Sequence, residues 1–277
     1  MPSYFHILIT ITSLFLLLFI AYLFLLKTGK AKELSEYDGA LFAHRGLHNG
    51  ERAENSMSAF LAAVEAGYGI ELDIRLSRDG KLVVFHDDTL LRVCGIDKRV
   101  DELSAEELSK LSLSGTADGI PLFSEVLCAV GGRVPLLVEI KEDRGDSRVS
   151  SAAAEMLAEY KGKFIVESFN PISLKNFKRS LPSATIGVLS QSYLKDKNYR
   201  KFIYYLLGLM ATNIICRPAF IAFNREHPKN IGLRLARFFF CTKTFAWTIR
   251  SDEEGRAAIK QGFRGLIFEN YLPEKKS

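Results

Sequence analysis

Residues 70–87 read IELDIRLSRDGKLVVFHD, and this stretch decides the fold prediction. Its apolar residues predict a buried strand over Gly69–Ile74 that carries Glu71 and Asp73, and a second strand, Leu82–Phe85, that runs into a His-Asp pair. Glu71 and Asp73 are two residues apart, so both side chains point to the same side of their strand. Polar groups at the ends of buried strands indicate a site at one edge of a parallel sheet.

Short apolar runs alternate with amphipathic stretches from residue 40 onwards. The other predicted strands are Leu41–Ala43, Leu136–Ile140, Phe164–Val166, Thr185–Leu189, Ala219–Ala222, Thr244–Trp247 and Leu266–Phe268. The predicted helices are Ser56–Ala66, Ala105–Leu111, Ser124–Val130, Val149–Tyr160, Pro171–Arg179 and Asp252–Gln261. This alternation favours an α/β fold, a closed TIM (β/α)8 barrel. One of the nine predicted strands is then surplus or belongs to a hairpin.

The composition excludes several classes of protein. The chain has 277 residues, of which 48% are hydrophobic and 25% charged, and this excludes a disordered, collagen-like or disulfide-scaffold protein. Its four cysteines are scattered without a Cys-x-x-Cys pair, which fits reduced thiols and offers no zinc site.

The first 26 residues contain no Lys, Arg, Asp or Glu. The segment Phe5–Leu26 is therefore predicted to be one transmembrane helix, about 30 Å long. A cleaved signal peptide is the alternative, but the segment lacks a basic N-terminal region and a small-residue cleavage site. Lysines follow the segment and none precedes it, so we expect a single-pass protein of the cell membrane with its globular part in the cytoplasm. Residues 27–39 are predicted to be a polar linker, and residues 40–272 the barrel.

Basic and apolar residues are concentrated in one part of the barrel sequence. Residues 195–243 contain ten Lys or Arg residues against Asp196 and Glu226, whereas the whole chain has a net charge of +5. Large apolar residues lie in the same stretch, and this composition is found where proteins contact a membrane surface. Barrel helices with solvated basic residues are the alternative. Nucleic-acid binding has the least support, because the stretch has no recognisable reader motif.

A third carboxylate, Glu139, lies on the predicted strand Leu136–Ile140. In a parallel barrel it would join Glu71 and Asp73 at the same mouth. Three carboxylates in a barrel repel one another and are costly to bury without a cation. Ligands that are all oxygen atoms select a hard divalent ion, so the sequence predicts a site for Mg²⁺ or Ca²⁺.

Proton-transfer and anion-binding groups surround these carboxylates. His44 and His86 follow two predicted strands, and histidine is the residue type best suited to giving and taking a proton near neutral pH. Arg45 and Lys141 suit an anionic phosphate. The combination predicts metal-assisted cleavage of a phosphodiester.

Each of these residues also has a purely structural interpretation. A histidine at a strand end is often structural, Glu71 could pair with Arg75, and Lys141 could be solvated beside Glu142. We favour the functional interpretation because all of these groups fall at the ends of successive strands.

The order of the motifs resembles the glycerophosphodiester phosphodiesterase family, in its membrane-anchored bacterial form. The motifs are HRGLH at 44–48, AENS at 53–56 followed by AF at 59–60, residues 70–87, IPLFSEVL at 120–127, PLLVEIK at 135–141, ESFNP at 167–171 and AWTIR at 246–250. The resemblance covers residues 41–272. It implies a TIM barrel, a divalent metal ion on Glu71, Asp73 and Glu139, acid/base roles for His44 and His86, and phosphate contacts from Arg45 and Lys141.

The resemblance also implies a reaction, in which a glycerophosphodiester yields an alcohol and sn-glycerol 3-phosphate through a cyclic phosphate. It implies that Phe169 and Trp247 form an aromatic wall near the glycerol or the leaving group, and that residues 88–119 form a small cap beside the pocket. Ordinary packing at the barrel mouth is the alternative for the two aromatic residues. Which histidine acts as acid and which as base stays open.

The chain departs from the family pattern near its end, where residues 264–269 read RGLIFE instead of a common DGIITD. This departure puts contacts from the last strand in doubt. Two other functions compete with the main prediction: a lysophospholipase D that uses the same chemistry on membrane lysophospholipids, and an inactive membrane-bound sensor of lipid or phosphate.

Overall fold

The computed structural model describes residues 2–30, 32–142, 146–193 and 202–274. Its strands are β1 (Leu41–Ala43), β2 (Gly69–Leu76), β3 (Leu82–Val84), β4 (Leu136–Ile140), β5 (Phe164–Ser168), β6 (Ile186–Ser190), β7 (Phe220–Asn224), β8 (Lys243–Ile249) and β9 (Gly265–Phe268). Eight of them pair in parallel in the order β1-β2-β4-β5-β6-β7-β8-β9, and β9 pairs again with β1. The predicted closed TIM barrel is therefore confirmed.

The ninth strand, β3, turns back and pairs with β2 in antiparallel fashion, with Ile74 opposite Val84. The ninth predicted strand therefore belongs to a hairpin, which was one of the two predicted alternatives. The hairpin extends β2 beyond the barrel, so that β2 runs on to Leu76 instead of ending at Ile74 as predicted.

The helices lie between the strands. They are α1 (Pro2–Leu26), α2 (Met57–Glu65), α3 (Leu91–Cys94), α4 (Ala105–Ser109), α5 (Phe123–Val130), α6 (Arg148–Glu159), α7 (Pro171–Ser180), α8 (Phe202–Gly208), α9 (Asn213–Cys216), α10 (Ile231–Phe240) and α11 (Asp252–Lys260). The six helices predicted within residues 40–272 are present with shifted ends. The sequence analysis did not predict α3, α8, α9 or α10.

Side-chain caps explain where several helices begin. The hydroxyl of Ser56 accepts a hydrogen bond from the backbone N–H of Ala59 at the start of α2. Asn170 caps α7 in the same way, and Pro171 occupies the first helical position, where no N–H is needed. These caps fix the chain just after the strand ends, where the polar residues lie.

Residues 88–119 form a small unit beside the barrel mouth. It contains α3 and α4 and has its own apolar cluster, which includes Leu90, Val100 and Leu108. The cluster continues onto Phe85 next to β3, so the unit is packed against the hairpin.

Residues 32–37 form a 3₁₀ helix below the barrel. Leu34 and Tyr37 are buried and join Phe42, Phe220 and Phe245 in the cluster that fills the N-terminal end of the barrel. Much of the segment between α1 and the first strand is thus packed against the barrel. The burial of these two apolar side chains was not predicted from the polar composition of the segment.

One helix is long and apolar enough to cross a membrane, over the 23 residues Tyr4–Leu26. Most of it is exposed, and only its last turns touch the barrel. The Tyr22 hydroxyl donates to the carbonyl of Leu209, and the Arg217 guanidinium donates to the carbonyl of Phe24.

Candidate active site

The predicted site residues converge on one cleft of about 400 Å³ at the C-terminal ends of the strands. Those that line it are His44, Arg45, Glu71, His86, Glu139, Lys141, Phe169 and Trp247. Asp73 is buried beside them and contacts Lys141. The structure therefore brings all nine predicted residues together.

Strand register places Asp73, Glu139 and Glu167 at one level of the barrel. Asp73 of β2 is paired with Glu139 of β4, and Glu139 is paired with Glu167 of β5. Glu71 lies two residues before Asp73 on the same side of β2, as the alternation of a strand requires. Glu71, Asp73 and Glu139 offer carboxylate oxygens that all lie within 4.8 Å of one another, and all three residues are buried.

The electrostatics of this cluster fit a divalent cation. Burial and the neighbouring charge of Asp73 raise the pKa of Glu71 well above its usual value. Burial likewise raises the pKa of Glu139, to about 7. A divalent ion would relieve both the desolvation and the repulsion, and the three oxygen donors are the type that Mg²⁺ or Ca²⁺ prefers. The residues present therefore fit such an ion.

Lys141 partly balances these charges. Its Nζ lies 2.6 Å from Oε1 of Glu139 and 3.1 Å from Oδ1 of Asp73. Burial opposes ionisation of Asp73, but the nearby positive charge, that of Lys141 first, outweighs it and holds the pKa of Asp73 below its usual range. The alternative of a solvated Lys141 is wrong, because the side chain is turned into the barrel.

The turn after β1 positions His44 and Arg45. Arg45 and Gly46 both have positive φ, 57° and 81°. A Cβ on Gly46 would lie 2.9 Å from the backbone carbon of Ala59 on α2, so only glycine fits the turn. The turn directs the backbone N–H of Arg45 to Oε2 of Glu71, at 2.9 Å, and Nη1 of Arg45 to Glu54 at 2.7 Å.

His86 lies at the end of β3 and is held from two sides. Its Nδ1 is 2.6 Å from Oδ1 of Asp87. Nε and Nη2 of Arg75 donate to its backbone carbonyl at 2.9 and 2.8 Å. Arg75 also pairs with Asp88, so the alternative pairing of Arg75 with Glu71 is not formed. Burial lowers the pKa of His86 despite the nearby charge of Asp73.

His44 has a carboxylate partner from the far end of the chain. Its Nδ1 lies 2.5 Å from Oε2 of Glu269, just after β9, and its Nε2 lies 4.0 Å from Oε2 of Glu71. Arg250 holds the other oxygen of Glu269, with Nη2 at 2.6 Å from Oε1. Glu269 belongs to the segment where the chain departs from the family pattern, and it still reaches the site.

Several residues in the cleft were not predicted. Glu167 is buried, and burial raises its pKa well above the usual value. Glu54 and His48 also line the cleft. All three residues lie within motifs quoted above: Glu167 in ESFNP, Glu54 in AENS and His48 in HRGLH. The motifs could therefore have pointed to them, but their contacts are visible only in the folded chain.

The two aromatic residues form an edge-to-face pair on one wall. The ring centroids of Phe169 and Trp247 are 5.7 Å apart with an interplanar angle of 89°. Nζ of Lys141 lies 5.9 Å from the Phe169 ring centroid. An apolar wall thus stands beside the buried charges.

Sequence comparisons with known proteins identify the family of this chain. The sequence profile of the Glycerophosphoryl diester phosphodiesterase family matches residues 44–271. A glycerophosphodiester phosphodiesterase of Caldanaerobacter subterraneus subsp. tengcongensis is 31% identical over 251 residues, which cover 83% of this chain and 93% of the relative.

Solved structures share the fold. A glycerophosphodiester phosphodiesterase from Thermotoga maritima has a TM-score of 0.63 at 27% identity, with 83% of this chain and 94% of that chain covered. A phosphodiesterase from Oleispira antarctica, solved with the product sn-glycerol-3-phosphate, has a TM-score of 0.68 at 21% identity, with 84% and 94% covered. The chain therefore belongs to the glycerophosphoryl diester phosphodiesterase family and is an enzyme of that class.

Proposed function

We propose that the chain hydrolyses glycerophosphodiesters to an alcohol and sn-glycerol 3-phosphate at the cleft described above. One observation carries the proposal: a buried carboxylate cluster that fits a divalent ion lies within the same cleft as two histidines that are each held by a carboxylate. Glu71, Asp73 and Glu139 would hold the ion. Once bound, it would offset the negative charge of the carboxylates and of the phosphate.

The carboxylate partners set the state of both histidines. An ionised carboxylate only accepts hydrogen bonds, so Nδ1 of His44 carries a proton and donates a hydrogen bond to Glu269. Nδ1 of His86 does the same to Asp87. In each neutral ring Nε2 is then the basic nitrogen. Two imidazoles with a basic or protonated Nε2 in one cleft are suited to proton exchange with a substrate.

The proposed reaction proceeds in two steps. The glycerol C2 hydroxyl oxygen forms a bond to phosphorus, the bond from phosphorus to the leaving alcohol oxygen breaks, and a cyclic phosphate results. One histidine takes the proton of the attacking hydroxyl at Nε2, and the other gives its proton to the alcohol. Water then opens the ring with the roles of the histidines reversed, so both return to their starting states.

Two cations support phosphate binding in this proposal. Nε of Arg45 lies 3.7 Å from Oδ2 of Asp73, and Nζ of Lys141 lies between Asp73 and Glu139. Both positive charges therefore lie next to the place where the phosphate would meet the carboxylate cluster. Phe169 and Trp247 would contact the glycerol or the leaving alcohol.

We also propose that α1 anchors the enzyme in the cell membrane, with residues 5–26 in the bilayer and the catalytic barrel over residues 40–272. The length and exposure of the helix support this. By the positive-inside rule, the lysines after it support a barrel on the cytoplasmic side.

A substrate comparison tests the function. The full chain, in detergent with Mg²⁺ or Ca²⁺, is given glycerophosphocholine in solution or lysophosphatidylcholine in mixed micelles. We expect release of sn-glycerol 3-phosphate from glycerophosphocholine to be faster than release of lysophosphatidic acid from lysophosphatidylcholine. Release of only lysophosphatidic acid from the second would favour the lysophospholipase D, whose support is the anchor beside the barrel. Turnover of neither substrate would favour the sensor.

A further inference from the structure

The end of α1 is packed into the barrel wall instead of standing clear of it. Leu26 is completely buried, and the Thr28 and Thr242 hydroxyls are 2.7 Å apart in a buried contact. Higher in the helix, the ring of Phe19 packs edge-on against Phe239 of α10, with centroids 6.0 Å apart. The barrel thus touches the helix over at least two turns.

The length of α1 indicates how deep in a membrane this contact would lie. Within the candidate span, residues 4–18 precede Phe19 and are about 22 Å long at 1.5 Å per residue. That is short of the roughly 30 Å of hydrocarbon that a spanning helix must cross. The proposed anchor would therefore use residues beyond Phe19 as well, so Phe239, which packs against Phe19, would lie close to the membrane interface.

The neighbouring barrel surface has the composition for that level. On α10, Ile231, Arg234 and Phe238 face outward at helical spacing, and the Phe238 side chain is 78% exposed. On α8, Phe202 is 74% exposed, and Ile203 and Tyr205 are exposed beside it. Single exposed apolar residues are ordinary, but a group of large ones beside an apolar helix indicates a contact surface.

The helix α8 is connected both to the anchor and to the barrel mouth. Tyr22 of α1 donates to the carbonyl of Leu209, which follows α8 directly. The Ser190 hydroxyl at the C-terminal end of β6 donates to the carbonyl of Leu207 within α8. Leu189, one residue earlier on β6, lines the cleft. The helix α8 therefore contacts a strand end that borders the cleft.

The positive charge of this region favours contact with a membrane that contains anionic lipid. Residues 202–243 contain six Lys or Arg residues and a single acidic residue, Glu226. Arg234 is exposed within the apolar stripe of α10, and Lys27 and Lys30 are exposed just after the anchor. Basic side chains among large apolar ones bind the interface of bilayers that contain anionic lipid.

We propose that α8 and α10, beside the anchor, form a surface that enters the interface of an anionic bilayer, with α8 next to the strand end that borders the cleft. This proposal rests on the membrane anchor proposed above and is independent of the reaction. In this proposal the exposed aromatic residues contact lipid and not a protein partner.

Tryptophan quenching measures the depth of each element. The full chain has one tryptophan, Trp247, in the cleft. We would add a second by F202W or F238W and reconstitute each chain into phosphatidylcholine/phosphatidylglycerol vesicles whose acyl chains carry bromine, which quenches nearby tryptophan. F15W reports on the anchor. L91W is the matched control, because Leu91 is exposed on the cap beside β2 and β3, across the barrel from β7.

The expected result is a loss of emission, relative to the parent chain, in F15W, F202W and F238W but not in L91W. Quenching of F15W alone would overturn the proposed surface and leave the anchor in place. Absence of quenching in F15W would overturn the anchor and with it this surface. Release of sn-glycerol 3-phosphate from glycerophosphocholine added to the same vesicles reports separately on the reaction, so its failure is distinguishable from either result.

Discussion

Nδ1 of His44 lies 2.5 Å from Oε2 of Glu269, although the two residues are 225 positions apart in the chain. The contact joins the ends of β1 and β9, the strands that close the barrel. Because the carboxylate accepts from Nδ1, it fixes the ring tautomer that leaves Nε2 available. Glu269 is therefore a positioning residue for His44, and closure of the barrel creates the contact.

Removal of the charge of Glu269 tests this relationship. We expect Glu269→Gln to lower kcat by at least about tenfold, because the amide no longer fixes the tautomer or stabilises a protonated ring. The pH dependence of kcat/KM should shift as well, which a purely structural role would not cause. The matched control is Glu226→Gln, an exposed carboxylate outside the cleft. An unchanged pH profile and turnover in Glu269→Gln would contradict the role.

The same contact predicts a pH-dependent stability. The hydrogen bond from His44 lowers the pKa of Glu269 to about 2, with help from Arg250. A carboxylate whose pKa is lowered on folding stabilises the protein above its unfolded pKa, and this stabilisation is lost as the pH falls toward the folded pKa.

Urea denaturation of the full chain in detergent measures the effect. The difference in the free energy of unfolding between the wild type and Glu269→Gln should be largest near pH 7 and shrink between about pH 4.5 and pH 2. Glu65→Gln, at an exposed position of α2, is the control. A difference that does not change with pH would contradict the prediction.

The ligand role of Glu71 predicts a loss of cation affinity. Glu71→Gln removes one of three buried carboxylates, so we expect affinity for Mg²⁺ or Ca²⁺ to fall by at least about tenfold in calorimetry. Without cation, the variant should be at least as stable as the wild type, because the substitution removes a carboxyl group whose ionisation is opposed by burial and by Asp73. Equal cation affinity in the two proteins would reject the ligand role.

The turn at Gly46 predicts a structural effect on the site. Gly46→Ala places a methyl group 2.9 Å from Ala59 in a residue with a φ of 81°, so we expect a loss of about 1–3 kcal/mol in the free energy of unfolding. Gly50→Ala, where nothing lies within 4 Å, is the matched control and should change little. Similar denaturation midpoints for the two variants would contradict this account of the turn.

The sequence was sufficient for the barrel and for the carboxylate cluster because both depend on local patterns. The two-residue spacing of Glu71 and Asp73 predicts a shared face, and parallel strands bring their C-terminal ends together whatever the loops do. The ends of the strands were harder to predict from the sequence, since the extension of β2 to Leu76 depends on its hairpin with β3.

Contacts between distant segments were beyond the sequence patterns. Neither Glu269 nor Arg250 carries a local signal for His44, because their approach depends on closure of the barrel. The helix α10 was missed for a different reason. Three consecutive phenylalanines at its end hide the outward spacing of Ile231, Arg234 and Phe238 and resemble a simple apolar run.

The central claim is that this cleft hydrolyses glycerophosphodiesters with a divalent cation and two histidines. The most direct measurement is release of sn-glycerol 3-phosphate from glycerophosphocholine by the full chain, after chelation and again after Mg²⁺ or Ca²⁺ is restored. The variants His44→Ala and His86→Ala are measured beside His227→Ala, a histidine outside the cleft. We predict that release stops in chelator, returns with the cation, and falls at least about 100-fold in the first two variants only. Undiminished release in chelator, or near-wild-type turnover in both His44→Ala and His86→Ala, would contradict the account.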